Sequence, residues 1–252
     1  MFAEQRHRAI LTEVSEHSRV SVKALAERLS VADETIRRDL DRLADDGLVV
    51  RVHGGAIARR STVAEPDLST RLTTNSEAKA AIAQAAARFI PSAGGSVLID
   101  AGSSTAALVP ALAASGATLL THSPGIAQDA VAAGAHDLHV LPGKLRPTTR
   151  AAVGAATLNA LGTLSPSVAF LGCNGVSAEG FVTPDPEEAA VKREIVRRAG
   201  LRIMLADATK FHAPGLVTFA EFADIDVLVT NSLLPADLAE AAARANIQVV
   251  LP

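Results

Sequence analysis

Apolar residues recur with a helical period near the start of the chain, then gather into short runs separated by helical stretches further along. Ile10, Leu11 and Val14 share one face of a first stretch, and Val22, Leu25 and Leu29 lie at i, i+3 and i+7 on a second. Ile36, Leu40 and Leu43 follow at i, i+4 and i+7 on a third, so three amphipathic helices are predicted. Only Ser30, Val31 and Ala32 separate Leu29 from Asp33. So short a turn between two such helices predicts a helix-turn-helix, with Ser21 placed to cap its first helix. The β-branched run Leu48 to Val52, the turn His53-Gly54-Gly55 and then Ala56-Ile57 predict a hairpin, the wing of such a module.

From residue 76 onward the pattern changes. Seven runs read as strands: 96–100, 118–121, 138–141, 168–171, 202–206, 227–229 and 247–251. Helical stretches such as 79–89, 105–114 and 187–199 lie between most of them. Buried strands alternating with helices predict an α/β fold with a parallel sheet covered on both faces. The expected organisation is a winged helix-turn-helix over residues 1–57, a polar linker over 58–75, and a parallel-sheet domain over 76–252.

Composition narrows the function. The 252 residues are 48% apolar and 20% charged, the balance of a chain with a sizeable core. No apolar run reaches the roughly 18 residues that span a bilayer, and the opening residues lack a secretory signal's apolar stretch. A cytoplasmic protein without membrane association is expected. Cys173 is the single cysteine, so no intrachain disulfide forms, and neither a metal-ligand spacing nor a cofactor motif is present. The net charge is −3, yet residues 1–60 carry eleven Lys/Arg against ten Asp/Glu, and the remainder thirteen against seventeen. Local cationic density, not the total, decides nucleic-acid binding. With no Trp or Tyr to stack on bases, a duplex is the expected nucleic-acid partner.

With Ile36 and Leu40 turned inward, Thr35, Arg37 and Arg38 project near the start of the third helix, where a recognition helix reaches base edges and phosphates. Arg51 and His53 on the wing complete the expected DNA-contacting set, with Gly54 at the turn and Ser21 at the helix start.

Several strand ends carry groups suited to anions. Asp100-Ala101-Gly102-Ser103-Ser104-Thr105 joins a strand to a helix through small and hydroxyl residues. Thr121-His122-Ser123-Pro124 repeats the design, though a plain helix cap explains it equally well, and His122 reads as a structural residue. Lys144, Arg146 and Arg150 cluster after the third strand, either toward an anion or in a solvated loop. Asp185 and Glu188, with Pro186 between them, have capping-box spacing. Glu188 and Lys192 lie at i, i+4, where a surface salt bridge is the ordinary outcome. Asp207 and Lys210 mark a further strand end.

The string RVSVKALAERLSVADETIRRDLDRLADDGLVVRVHGGA closely resembles the helix-turn-helix of the DeoR/GlpR family of sugar-metabolism repressors. The runs DAGSST, GCNGV, TPDPEEAAVKR and ADATKF resemble that family's effector domain, so the likeness spans the chain apart from the linker. The resemblance implies a ribose-5-phosphate isomerase-like fold for the second domain. It also implies a phosphate held by Gly102, Ser103, Ser104 and Thr105, with Asp100, Asn174, Asp185, Glu188, Lys192 and Lys210 lining the sugar site. Thr121, Ser123, Lys144 and Arg150 join the candidate effector site on their position at strand ends. Departures occur at Ala32, where the family usually caps the recognition helix with Ser, at Lys144 for a common glycine, and at Asn174 for a frequent Asp. The NGV run is similar to that of fructose-type repressors and points toward fructose 1-phosphate. The implied function is a repressor of a carbohydrate operon, a homodimer or homotetramer released from duplex operator DNA by a sugar phosphate. An enzyme acting on sugar phosphates, with Glu188, Lys192 and Asp185 as acid and base, is the alternative. A constitutive DNA binder with an oligomerising second domain is a third.

Overall fold

A computed structural model describes residues 3–17, 19–46, 48–52, 54–58, 65–92 and 94–252. They form two compact units that divide between residues 61 and 62.

In the first unit, helix α1 (Ala3–His17) leads into strand β1 (Arg19–Ser21), then α2 (Val22–Leu29) and α3 (Asp33–Asp45). Strands β2 (Val49–Val52) and β3 (Gly55–Ala58) follow, and the three strands form an antiparallel sheet in the order β1-β3-β2. Ile10, Val14, Leu25, Ile36, Leu40 and Leu43 meet Val20, Val49 and Ala56 in one core, as the helical periodicity predicted. Ser21 caps α2 by accepting from the Ala24 N–H, and Ser30 ends it in the left-handed conformation at φ 53°. A Cβ on Gly55 would meet the Val20 carbonyl oxygen at 1.9 Å, so only glycine lets β1 approach β3 there. This is a winged helix-turn-helix. His53 lies outside the described residues.

The second unit opens with α4 (Leu68–Thr73) and α5 (Ser76–Ala86). The 58–75 stretch, expected to be a linker, therefore contains a helix. Asp67 caps it by accepting from the Thr70 N–H at 2.8 Å, and buried Lys79 holds its far end by donating to the Thr74 carbonyl at 2.6 Å and to that of Arg71. With its side-chain cap and clamp, this short helix needs no amphipathic stripe, which is why periodicity missed it.

Next come β4 (Ser96–Ile99), α6 (Ser103–Ala106), α7 (Val109–Ala114), β5 (Thr118–Thr121), α8 (Pro124–Ala132) and β6 (Leu138–Val140). A hairpin, β7 (Lys144–Arg146) and β8 (Ala151–Val153), precedes α9 (Ala155–Gly162) and β9 (Val168–Gly172). Short strands β10 (Gly175–Ser177) and β11 (Gly180–Thr183) lead to α10 (Pro186–Arg198), β12 (Leu201–Leu205) and β13 (Val217–Ala220). The chain closes with β14 (Val227–Val229), α11 (Ala236–Arg244) and β15 (Gln248–Val250).

The seven expected strands make one parallel sheet in the order β15-β14-β12-β9-β4-β5-β6. Two apolar layers cover its faces. One gathers Leu98, Leu171, Met204 and Leu228 with α10 and α11; the other gathers Ile99, Phe170, Ile203 and Val229 with α5, α7 and α8. From β4 the chain runs one way to β5 and β6, and later the other way through β9, β12, β14 and β15. That reversal puts the switch point of the sheet between β4 and β9, where doubly wound folds open a crevice at the strands' carboxyl ends.

Candidate functional site

Both strands at the switch point end in polar residues: Asp100 follows β4, and Gly172-Cys173-Asn174 closes β9. Asp100 is fully buried. One carboxylate oxygen accepts from the Gly172 N–H at 2.9 Å and from the Lys192 ammonium, which also donates to the Gly172 carbonyl at 2.9 Å. Burial pushes the Asp100 carboxyl up most strongly, but the Lys192 charge and the His122 hydrogen bond together outweigh it and hold the group at about 2. His122 is equally enclosed: Nδ1 donates to the Ala152 carbonyl at 2.9 Å, and Nε2 lies 3.0 Å from Asp100 and 3.1 Å from the Ala101 N–H. Asp100, His122 and Lys192 thus lock the crevice floor.

Above that floor lies a narrow cavity lined by Gly102, Ser103 and Ser104 on one side and by Asn174, Glu188 and Lys210 on another, with Arg71 from α4. Only about 20 Å³ of it is free for water-sized molecules, room for one. Its electrostatics are cationic where it is unpaired. The ammonium of Lys210 makes no hydrogen bond or ion pair with the described residues, and neither do the hydroxyls of Ser103 and Ser104. Cys173 also lines the cavity, and burial pushes its thiol up to about 12, so it stays neutral and is no nucleophile.

A second cluster adjoins. Arg146 bonds Glu65 at 2.5 Å, Asp185 at 3.1 Å and Glu188 at 3.2 Å. Thr149 donates to Glu188, and Asn174 Nδ2 donates to Glu65 at 2.8 Å. Asp185 also caps α10 by accepting from the Glu188 N–H at 2.9 Å. Only half of the expected capping box forms, because the Glu188 carboxylate turns to Thr149 and Arg146 instead. The surface pair between Glu188 and Lys192 does not form either: both are buried, and they serve different partners.

The other expected residues sort by geometry. Thr105 donates to the Asp100 and Gly102 carbonyls, Thr121 donates to the Ile99 carbonyl, and Ser123 caps α8. These three hold the loops and present no group to the cavity. Lys144 and Arg150 are not brought to it: Lys144 pairs with exposed Glu187 at 2.8 Å, and Arg150 is exposed. Lys144 shares a face of β7 with Arg146 but stands at the exposed end of the strand, and Arg150 lies in the β7–β8 turn with φ 54°, so Arg146 reaches the buried carboxylates without them. Glu65 and Arg71 were not anticipated. The Asp67–Thr70 capping spacing was the sequence signal that would have placed a helix, and hence Arg71, there.

In the first unit, Arg37 and Arg38 are mostly exposed, at 57% and 79%, and each lies only loosely against Glu34, at 3.7 and 3.6 Å. Thr35 sits beside them, half-buried. Arg51 is different: it is tied to Asp41 at 2.6 Å and to the Gly55 carbonyl at 2.5 Å, which braces the wing against α3. Gly54 is exposed at the wing tip with φ 77°. Asp39, on the inner side of α3, is buried with Arg6 and with His7 at 2.9 Å.

A winged helix-turn-helix joined to a doubly wound unit with a cationic switch-point cavity defines a ligand-responsive DNA-binding regulator. Comparison with known proteins gives its kinship. Residues 6–62 match the DeoR-like helix-turn-helix domain, and residues 74–232 match the DeoR C terminal sensor domain. The HTH-type transcriptional regulator GlpR of Haloferax volcanii is 32% identical over 99% of this chain and 98% of its own length. The glycerol-3-phosphate regulon repressor of Escherichia coli is 29% identical over 98% of each. The uncharacterized regulator FruR of Bacillus subtilis is 30% identical over 92% of each. The chain belongs to the DeoR family. Among solved structures, ribose 5 phosphate isomerase A from Neisseria gonorrhoeae is similar over 56% of each chain, at 16% identity and a TM-score of 0.41, a likeness too loose to build on. No helix among the described residues is long and apolar enough to cross a membrane.

Proposed function

We propose that this protein is a transcriptional repressor of a carbohydrate-utilisation operon, released from its operator when a phosphorylated sugar widens and fills the switch-point cavity, which without it has room for one water-sized molecule. The observation that carries this reading is the set of unengaged groups there: Lys210, Ser103 and Ser104 converge without partners, a combination that suits a phosphoryl group. The repressors among its relatives support the sign of regulation.

Thr35, Arg37 and Arg38 read the major groove, while Ser21, Gly54 and the wing meet the backbone, and His53 belongs to that set by its place in the sequence. Gly102, Ser103, Ser104 and Lys210 hold the phosphate; Asn174 and Glu188 face the sugar; Asp100 and Lys192 position them. The protein is not an enzyme in this reading. Lys192 is locked to Asp100, Glu188 is shared between Thr149 and Arg146, and Asp185 pairs with Arg146, so each of the three acid–base candidates is already engaged. Operator DNA places its work in the cytoplasm, and half-site recognition calls for a homodimer or homotetramer.

Thermal unfolding of the full chain against a panel of sugar phosphates, fructose 1-phosphate first, tests the reading. Circular dichroism is the detector, because Trp and Tyr are absent. A ligand at 100 times its dissociation constant adds about 2.7 kcal/mol, a shift of a few degrees. A flat response to every phosphorylated sugar would reject it.

A further inference from the structure

We infer that Arg71 anchors the effector's phosphoryl group, which makes α4, the opening helix of the second unit, part of the sensor site. The inference rests on the phosphate-sensing reading above. Arg71 lies ten residues beyond the first unit's last residue, Ser61. It lines the same cavity as Ser103, Ser104 and Lys210, and its side chain is only 14% exposed.

Its guanidinium is used unevenly. Nη1 lies 3.4 Å from Glu65, whereas Nε and Nη2 are buried and have no hydrogen-bond partner among the described residues. Those two nitrogens form one edge of the guanidinium, with two parallel N–H groups in the spacing that an oxyanion accepts bidentately. A buried, unsatisfied charged donor is costly, so such an edge needs a partner. Three nearby carboxylates are committed elsewhere, and Asp207, whose Oδ2 is buried without a partner among the described residues, makes no hydrogen bond or ion pair with Arg71. Glu65 binds Arg146 and Asn174, Glu188 binds Thr149 and Arg146, and Asp100 binds Lys192. The partner therefore comes from outside the described chain, and a phosphoryl group held between the Arg71 edge and Lys210 fits the charge.

Arg71 is also aimed in advance. Asp67 caps α4 at one end, Lys79 clamps the carbonyls at the other, and the Leu68 N–H donates to the Thr148 carbonyl at 3.0 Å. Occupancy of the cavity consequently tightens α4.

The test is calorimetric titration of the full-length chain with fructose 1-phosphate, inorganic phosphate and unphosphorylated fructose. The comparison is with Arg71→Lys, which keeps the charge and loses the fork, and with Lys210→Met. Arg71→Lys is expected to weaken both phosphorylated probes at least tenfold. In the wild type, saturating phosphate is expected to slow amide exchange over residues 68–74. Binding by Arg71→Lys within twofold of wild type overturns the anchor, and if Lys210→Met then binds weakly the sugar-phosphate reading stands without it. A loss seen with fructose 1-phosphate but not with inorganic phosphate also overturns it, since Arg71 would then be reading the sugar. Failure of every phosphorylated probe to bind the wild type overturns both readings. Should Arg71→Lys not fold, exchange over residues 68–74 in the wild type decides: slower exchange with phosphate supports the anchor, and unchanged exchange overturns it.

Discussion

The charged residues on the outer face of α3 and those at the switch point live under opposite conditions. On α3, Arg37 and Arg38 stand in water, touching Glu34 at distances too long for a good hydrogen bond. Around the β4–β9 switch point, Asp100, Lys192, Glu188 and Glu65 are withdrawn from water and each is held by two or more partners. The difference follows from the task. A surface that slides on duplex DNA must keep its cations hydrated and mobile, because phosphate attraction acts through counterion release. A cavity that tells one small anion from another needs charges fixed before the ligand arrives, and only burial with mutual bonding fixes them.

The contrast predicts unequal costs of substitution. The largest is expected at the crevice floor. Lys192→Met leaves Asp100 buried without its cation, at about 3–5 kcal/mol, measured as a lower denaturant midpoint. A cost near zero would show that the floor is not locked. Asp100 next gives the sensor unit an acid-sensitive limb. Its pKa of about 2 lies below the ordinary 3.8, so its contribution is fully present above pH 4 and fades as the pH falls toward 2. The drop is worth about 2 kcal/mol, and Asp100→Asn should flatten that part of the stability-against-pH curve. On the DNA side, Arg37→Ala should leave the melting temperature unchanged and cost roughly 1–3 kcal/mol of specific binding, with relaxed base preference at one position. Arg51→Ala should behave differently, lowering the melting temperature as well, because its bonds to Asp41 and Gly55 brace the wing. The smallest effect is expected at Ala32, the N-cap of α3, which makes no side-chain cap. Ala32→Ser should raise the module's stability by about 1 kcal/mol, and a lower melting temperature would contradict that.

The same contrast explains what the sequence disclosed. The helices of the first unit were legible because their apolar positions recur within single elements, and the parallel strands were legible as β-branched runs between helices. The short strands β10, β11 and β13 and the β7–β8 hairpin were not, since they stand outside the strand–helix alternation that marked the equally short parallel strands. The residues proposed to read DNA sit side by side on one helix turn, so a local pattern is enough to group them. The cavity is assembled across the chain instead. Glu65 meets Asn174, Arg146 meets both Glu65 and Glu188, and Asp100 meets Lys192 ninety-two positions away. Pairings of that span depend on the sheet order, which periodicity does not encode. Likewise, Lys144, Arg146 and Arg150 look alike in sequence, and only the fold brings Arg146 to the buried carboxylates of Glu65 and Glu188.

The central claim is that occupancy of the switch-point cavity controls the grip of the first unit on DNA. The direct measurement is fluorescence anisotropy of the full chain on a duplex selected from a random pool, at fixed salt, with and without saturating fructose 1-phosphate and the other sugar phosphates. The account predicts that at least one of them weakens operator binding fivefold or more, and that Lys210→Met, still bound to DNA, no longer responds. Operator affinity unchanged by every phosphorylated sugar, in a protein that binds the duplex specifically, would contradict it and leave a constitutive DNA binder.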